Sequence, residues 1–477
     1  GEFQFTFTDA DGVVRLCFHD DEQQHMADVK ALFDLCRGVL LFSVLTLVFC
    51  FLSLRKIFKR ASGKAGSLMP SVLALLLATS PIFVFFATDF IQEMLLTAFT
   101  AMMFWAMTGY ALHQEGSGKI KRGTWALLAG IAAGCAFATK ETCVLTFFAA
   151  ACSVTAVCLM RRMSRSDGSP PVDPKSKSSY AALAAAGFAL TATLFYSSFA
   201  TNWQGVYNAF VAAPLSYVHR ATGDAASEGA AYHVHPWWQY LKWLFENTLL
   251  AAYVPAGILC GFSALLRRKK ETIASGQPLA TAFVAPTCYS LILTVAYSSI
   301  PYKTPWCALQ LHLPLLLSAF LGFAMWSSRK KTNLIAAVFF TMTLLCHNCA
   351  LSAKMWIDPD SKEIPYNYAS ASPQVKDIAQ LIKSCVSDGK NAGKCFIAVA
   401  LPPEDTWPLP FYLRNINSNV GYWTQFEELE MLAALNRKPD VVVVPAEQGH
   451  LVQPLFPHLK NTKRFEMRHR VRIRVFW

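Results

Sequence analysis

The sequence predicts a mainly α, polytopic transmembrane helical bundle with a C-terminal extramembrane α/β domain. Three observations carry this. Of 477 residues, 54% are hydrophobic and only 16% are charged, whereas a soluble globular chain runs nearer a quarter charged. Mean hydropathy is +0.32. Apolar stretches of spanning length recur as far as residue 350, and the pattern then changes character. One large soluble enzyme is excluded, and so is disorder over most of the length.

A spanning helix needs about 20 mainly apolar residues. Ten stretches qualify: 38–54, 66–87, 90–112, 123–139, 142–160, 180–200, 241–266, 278–300, 306–326 and 332–350. The first and fourth are short. The fourth contains Gly130 and Gly134 in a small-xxx-small pattern that lets helices approach closely, so it is expected inside the bundle.

Alternate connections differ in charge. One set holds Arg55, Lys56, Lys59, Arg60 and Lys64; Lys119, Lys121 and Arg122; Arg161, Arg162, Arg165, Lys175 and Lys177; Arg267 to Lys270; and Arg329 to Lys331. The other offers little beyond Lys140, Arg220 and Lys303. Lys and Arg accumulate on the cytoplasmic side, so the first set faces the cytoplasm. The net charge of +12 is then an orientation signal, and no nucleic-acid partner is expected. Both chain ends fall outside the plasma membrane (the inner membrane of a two-membrane cell). An external start without a leader implies an upstream spanning helix. The resulting division is an external acidic segment 1–37, a bundle 38–350 with an external loop 201–240, and an external domain 351–477.

In that last domain, Val375, Ile378, Leu381 and Ile382 follow helical spacing over 373–385. Cys395–Ala400 and Val441–Val444 read as buried strands, and 426–436 as a helix. Ser164–Ser179 reads as a polar cytoplasmic linker. The cysteines are scattered in apolar runs, where they act as small hydrophobes. Only Cys385 and Cys395 sit where a disulfide bridge is plausible. Gly116-Ser117-Gly118-Lys119 lacks the upstream Gly and following Ser or Thr of a phosphate loop. Cys346-His347-Asn348-Cys349 has no second pair at zinc spacing and reads as the end of an apolar helix.

The remaining unusual residues share one side. His19-Asp20-Asp21-Glu22 lies in the N-terminal segment. Asp89 and Glu93 open the third span, where an i,i+4 spacing puts both on one face. Lys140-Glu141 forms a turn about two residues long. His233-Val234-His235-Pro236-Trp237-Trp238 ends the longest outer loop, and Pro301-Tyr302-Lys303-Thr304-Pro305-Trp306 is another tight turn. Taken singly, each has a bland reading: tryptophans as interfacial belt residues, Lys303 as a snorkelling cation, His312 as a hydrogen-bonding group within its helix. Their shared location is what those readings leave unexplained. Carboxylates can act as a general base toward an acceptor hydroxyl, while Lys and His can hold a phosphate leaving group. Aromatics can stack on sugar rings.

At these residues the chain resembles the GT-C superfamily of polytopic glycosyltransferases, most closely the bacterial and archaeal family named for flippase-activity-associated protein glycosylation. The resemblance runs from about Arg37 onward. It rests on Ser80-Pro81 with Asp89-Phe90-Ile91-Gln92-Glu93, Ala138-Thr139-Lys140-Glu141-Thr142, His235-Pro236-Trp237-Trp238 and Tyr302-Lys303-Thr304-Pro305-Trp306. In the tail, Trp407 to Arg414 continues it. It implies an acidic first external loop carrying the catalytic base, with Asp21 the matching position and Glu22 beside it.

The expected activity is transfer of a sugar, with inversion, from a polyprenyl-phosphate donor to a glycan, lipid or protein acceptor at the outer face. Asp21, Glu22, Asp89 and Glu93 form the acidic set. Lys140, Glu141, His233, His235, Trp237, Trp238, Tyr302, Lys303 and Arg414 form the substrate-binding set, with Lys140, His235 and Lys303 on the phosphate. No metal ligands are assigned, and a divalent cation is left open as cofactor. The alternatives are a lipid-glycan transporter or its accessory subunit, and a glycan-binding scaffold. Charge gathered at one rim favours the enzyme, since a transporter places ionisable groups near the bilayer midplane.

Overall fold

The computed structural model describes residues 6–8, 14–16, 37–62, 68–88, 91–113, 121–163, 174–212, 233–267, 277–357, 364–366, 372–387, 395–414, 419–468 and 471–477. The chain forms two compact units. One is Leu35–Ile357; the other joins Gly1–Asp34 to Asp358–Trp477.

Among the described residues, the longer elements of the first unit are helices: α1 (Arg37–Ser62), α2 (Met69–Ala78), α3 (Pro81–Thr88), α4 (Gln92–Ala111), α5 (Arg122–Thr139), α6 (Cys143–Met163), α7 (Pro174–Tyr196), α8 (Gln239–Phe245), α9 (Leu250–Leu266), α10 (Gln277–Ser299), α11 (Ala308–Ser327) and α12 (Lys331–Ile357). Among the described residues, seven helices are long and apolar enough to cross a membrane, or up to nine if each of two bent pairs is one span. This is a multi-pass membrane protein. Its central pillar is α11, in which only Ala324, Trp326 and Ser327 escape burial.

Two stretches expected as single spans are bent. The 66–87 stretch is α2 and α3, which meet at 63°. Pro81 opens α3, and a proline both lacks the amide donor and disfavours helix at the preceding residue. Buried polar groups gather at this break. Ser80 Oγ lies 2.7 Å from His312 Nε2, and Ser352 Oγ donates to Thr79 O at 2.8 Å. His312 is thus a hydrogen-bonding group of the bundle. The 241–266 stretch is α8 and α9, bent by 101°. Asn247 between them takes φ of 60°, a left-handed conformation that asparagine tolerates better than most residues.

Part of the expected linker 164–179 is also corrected, since α7 already starts at Pro174. Proline's fixed φ suits a first helical turn. The small-residue stripe of α5 packs on α7. Gly130 faces the Ala184 carbonyl, and a Cβ at Gly134 would lie 2.8 Å from the Phe188 oxygen.

The second unit contains a short antiparallel pair, β1 (Thr6–Thr8) and β2 (Val14–Leu16), and a five-stranded sheet. The sheet strands are β3 (Phe396–Ala400), β4 (Asn419–Trp423), β5 (Val441–Pro445), β6 (Thr462–Arg468) and β7 (Val471–Phe476), in the order β4-β3-β5-β7-β6. β3 pairs parallel with β4 and β5, while β7 runs antiparallel to β5 and β6. Alternation along the strands fills a core on each face. Ile397, Val399, Val441 and Val443 meet Val375, Ile378 and Ile382 of α13 (Gln374–Ser387). Ala398, Val442 and Val444 meet Leu429 of α14 (Glu427–Ala434) and Phe456. No disulfide joins Cys385 and Cys395, which corrects the expected bridge. The Cys395 thiol is pushed up to about 11 by burial and by the Asp440 carboxylate, with which it hydrogen-bonds.

Candidate functional site

Two groups of side chains flank the turn between α10 and α11. The first is built on Glu93. It sits in the opening turn of α4 and is 1% exposed. Its carboxylate pairs with Lys140, the residue that ends α5. Cys307 Sγ approaches the same carboxylate oxygen at 3.5 Å. Gln310 of α11 fixes the backbone beneath, since its amide nitrogen donates to Glu93 O at 3.0 Å and to Thr97 Oγ1 at 2.8 Å. Thr97 returns a bond to Glu93 O at 2.7 Å. Burial alone would lower the Lys140 ammonium, but Cys307 and the Glu93 carboxylate outweigh it and hold the ammonium above its ordinary value. The result is an ion pair anchored by α4, α5 and α11.

The second group joins two motifs far apart in sequence. Val234 and Tyr302 form an antiparallel bridge. Lys303 N donates to His233 O at 2.8 Å and His235 N to Pro301 O at 3.1 Å. The Lys303 side chain, 1% exposed, turns back onto the same backbone. Its ammonium donates to His235 O at 3.3 Å and to Ile300 O. Burial lowers Lys303 from its usual value. It also lowers His235, with the Lys303 charge adding to the effect, and His233, with His235 adding. Both imidazoles are therefore neutral near pH 7. His233 lies 4.8 Å from the Tyr302 ring, and His235 meets Trp243 edge-on at 5.2 Å. Among the described residues, His235 Nε2 is buried without a hydrogen-bond partner. Trp237 and Trp238 are exposed beside it.

The groups meet through the turn. Thr304 Oγ1 lies 3.3 Å from Cys307 Sγ, and buried Tyr240 of α8 engages both the Thr304 backbone and Cys307. Carboxylate, ammonium, imidazole and indole are thereby gathered on α4, α5, α8, α11 and their connections. Among the described residues, no cluster of three His, Cys, Asp or Glu side chains could hold a metal ion.

Over 92% of its length, the chain superposes on 83% of ArnT from Cupriavidus metallidurans bound to undecaprenyl phosphate, with TM-score 0.56 and 13% identity. The apo ArnT structure gives TM-score 0.54 at the same coverage and identity. The chain has the fold of the GT-C membrane glycosyltransferases. Within that GT-C frame, residues 31–167 match the family described as dolichyl-phosphate-mannose-protein mannosyltransferase. That region spans α1 to α6 and holds both Glu93 and Lys140. No curated protein matches the sequence.

The other expected site residues fall as follows. Asp21, Glu22 and Asp89 lie outside the described residues. Glu93 opens α4, which starts after the extended Ile91 (φ −128°, ψ 137°). Glu141 is half-buried in the turn beside Lys140. Arg414 belongs to the other unit, where its guanidinium lies over the Phe411 ring at 3.7 Å. Sequence reasoning missed Thr97, Cys307, Gln310, Tyr240 and Trp243. Gln310 did carry a signal, as an amide inside an apolar span is rare without a partner.

Proposed function

We propose that the protein is a glycosyltransferase that moves a sugar from a polyprenyl-phosphate donor to an acceptor at the outer membrane–water boundary. The observation that carries the reading is the meeting of the Glu93–Lys140 pair and the His235–Lys303 turn on one short segment, residues 301–307, within a GT-C fold. The solved ArnT is bound to undecaprenyl phosphate, which supports a lipid-phosphate donor here. The charge asymmetry of the connections supports an outer location for this rim and for residues 358–477, in the plasma or inner membrane.

In this reading Asp21 is the general base toward the acceptor hydroxyl, and Lys140, His235 and Lys303 offer donors to the leaving phosphate. His235 is neutral, so its buried Nε2 can give or accept one hydrogen bond to a ligand, according to tautomer. Trp237 and Trp238 present faces on which a sugar ring or a prenyl chain can lie. The acceptor is a hydroxyl-bearing glycan, lipid or protein.

The test uses purified full-length protein, a polyprenyl-phosphate sugar and a scored acceptor product. Asp21→Asn keeps the shape of the base and removes its charge. It should retain donor binding and lose transfer by about 100- to 10,000-fold, the usual contribution of general-base help. Equal product from Asp21→Asn would remove Asp21 from the mechanism. Absence of product from unmutated protein with every donor would overturn the transferase reading.

A further inference from the structure

Beneath the Glu93 network the bundle has a second feature that the proposed reaction does not use. A cavity of about 530 Å³ lies among α1, α4, α5, α6, α7, α10 and α11. Its volume falls within the range of sites that hold small molecules. Its lining is overwhelmingly apolar, and among the described residues no Asp or Glu side chain lines it. The space is partly open at the surface of the bundle, where an apolar lining of this extent favours an apolar occupant over water.

The two ends differ. At one end are Thr97 and Gln310, already hydrogen-bonded to each other and to Glu93 O. At the other are Arg161, Tyr110 and Tyr180. Along α4, Thr97 and Tyr110 are separated by 13 residues, or roughly 20 Å at 1.5 Å per residue. A second cation packs against Tyr110 of this end without lining the cavity itself. Arg122 stacks over the Tyr110 ring at 5.7 Å and donates through Nη2 to His113 O at 3.2 Å. Its Nε is buried with no hydrogen-bond partner among the described residues. A guanidinium donor left unmade at burial is costly, and a phosphate oxygen is the acceptor whose geometry suits it. Within the cavity, Thr100 Oγ1 and Thr281 Oγ1 are likewise buried without partners.

We propose that the bundle holds an anionic membrane phospholipid, with its phosphate at Arg161 and Arg122 and one hydrocarbon chain in this cavity. Charge complementarity selects this occupant. The cationic end belongs to the Lys/Arg-rich side of the protein, and the cytoplasmic leaflet that such a side faces is rich in anionic lipid. The donor of the proposed reaction would put its phosphate at the opposite end, beside Lys140. The site is therefore independent of the transferase reading, and its readout is binding.

The experiment is native mass spectrometry of the full-length protein in detergent, with phosphatidylglycerol, phosphatidylcholine or undecaprenyl phosphate added. The unmutated protein should retain phosphatidylglycerol over phosphatidylcholine by about tenfold or more, the scale of one charge-assisted hydrogen bond. Arg161→Gln with Arg122→Gln should abolish that preference and leave weak, headgroup-blind retention. Ala150→Trp, which fills the chain cavity, should lose both lipids. If Ala150→Trp does not fold, the arginine variants decide alone. Equal retention of the two phospholipids by unmutated protein would overturn the proposal. So would an unchanged preference in the arginine variants. Displacement of phospholipid by undecaprenyl phosphate that is equally strong in the arginine variants would also overturn it, by assigning the cavity to the tail of a donor entering from the Lys140 end.

Discussion

Lys140 pairs with Glu93 across 47 residues of chain, tying the mouth of α4 to the turn between α5 and α6. Neither residue could stay charged alone at this depth without a large cost. Together they place a fixed cation and a fixed anion beside Cys307, directly after the Pro301–Trp306 turn.

Breaking this pair from one side should be expensive. Glu93→Gln or Lys140→Met alone leaves an uncompensated charge and should cost up to about 3–5 kcal/mol. The double variant should cost much less than the sum. A double-mutant cycle on denaturant unfolding in detergent measures the coupling, and strict additivity would show the pair to be energetically idle. Lys140 is held above its ordinary value. Its stabilisation is therefore fully present below pH ~10.4 and is lost as pH rises through the raised folded value.

Lys303 should behave in the opposite sense. Burial lowers it, so the unfolded chain binds the proton more tightly. Stability should therefore rise with pH between the lowered folded value and ~10.4. Lys303→Met should flatten that part of the unfolding profile. Under the proposed function it should also weaken donor binding by about 1.5–3 kcal/mol, with Lys303→Arg losing less. Unchanged donor binding in the Met variant would leave Lys303 only its backbone ties.

His233 and His235 are both lowered. Each resists protonation in the folded state, so stability should fall as pH drops from ~6.5 through the folded values. Replacing His235 with Phe should remove part of that acid sensitivity. Thermal unfolding at pH 7.5 and pH 5 reads it, and an identical acid loss in the variant would assign the effect elsewhere.

The α5–α7 contact offers a test free of ionisable groups. Gly130 abuts a backbone carbonyl that cannot move aside like a side-chain tip. Gly130→Val should destabilise by roughly 1–3 kcal/mol, the usual cost of overpacking. The same change at half-buried Gly123 is a weaker perturbation, because its nearest neighbour is the end of the Leu183 side chain at 3.1 Å. Relative melting temperatures in detergent decide between them.

The spans were legible because apolar length is a strong signal, and Gly130 with Gly134 announced a close helix contact. The bends were not. Pro81 marks the first only in hindsight, since prolines also sit inside α9, α10 and α11. The second turns on the left-handed backbone of Asn247, which no periodicity reveals. In the C-terminal unit, Val441–Val444 was plain, while β6 and β7 were hidden by the arginines Arg464, Arg472 and Arg474 that alternate with their buried residues. Their inward residues Phe465, Met467, Ile473 and Val475 do alternate strictly. At the site, Glu93, Lys140, His235 and Lys303 could each be singled out by residue type. That Glu93 selects Lys140, and that Lys303 turns toward carbonyl oxygens, depends on how three helices cross.

The bridge between Val234 and Tyr302 is made of peptide groups, and its two hydrogen bonds involve no side-chain atom. The geometry of the rim is thereby uncoupled from the identity of what it displays. Residues such as His233, Trp237 and Trp238 can be exchanged, by mutation or over evolutionary time, while the loop that carries them keeps its place. A scaffold joined in this way can change what it recognises one residue at a time without first being rebuilt.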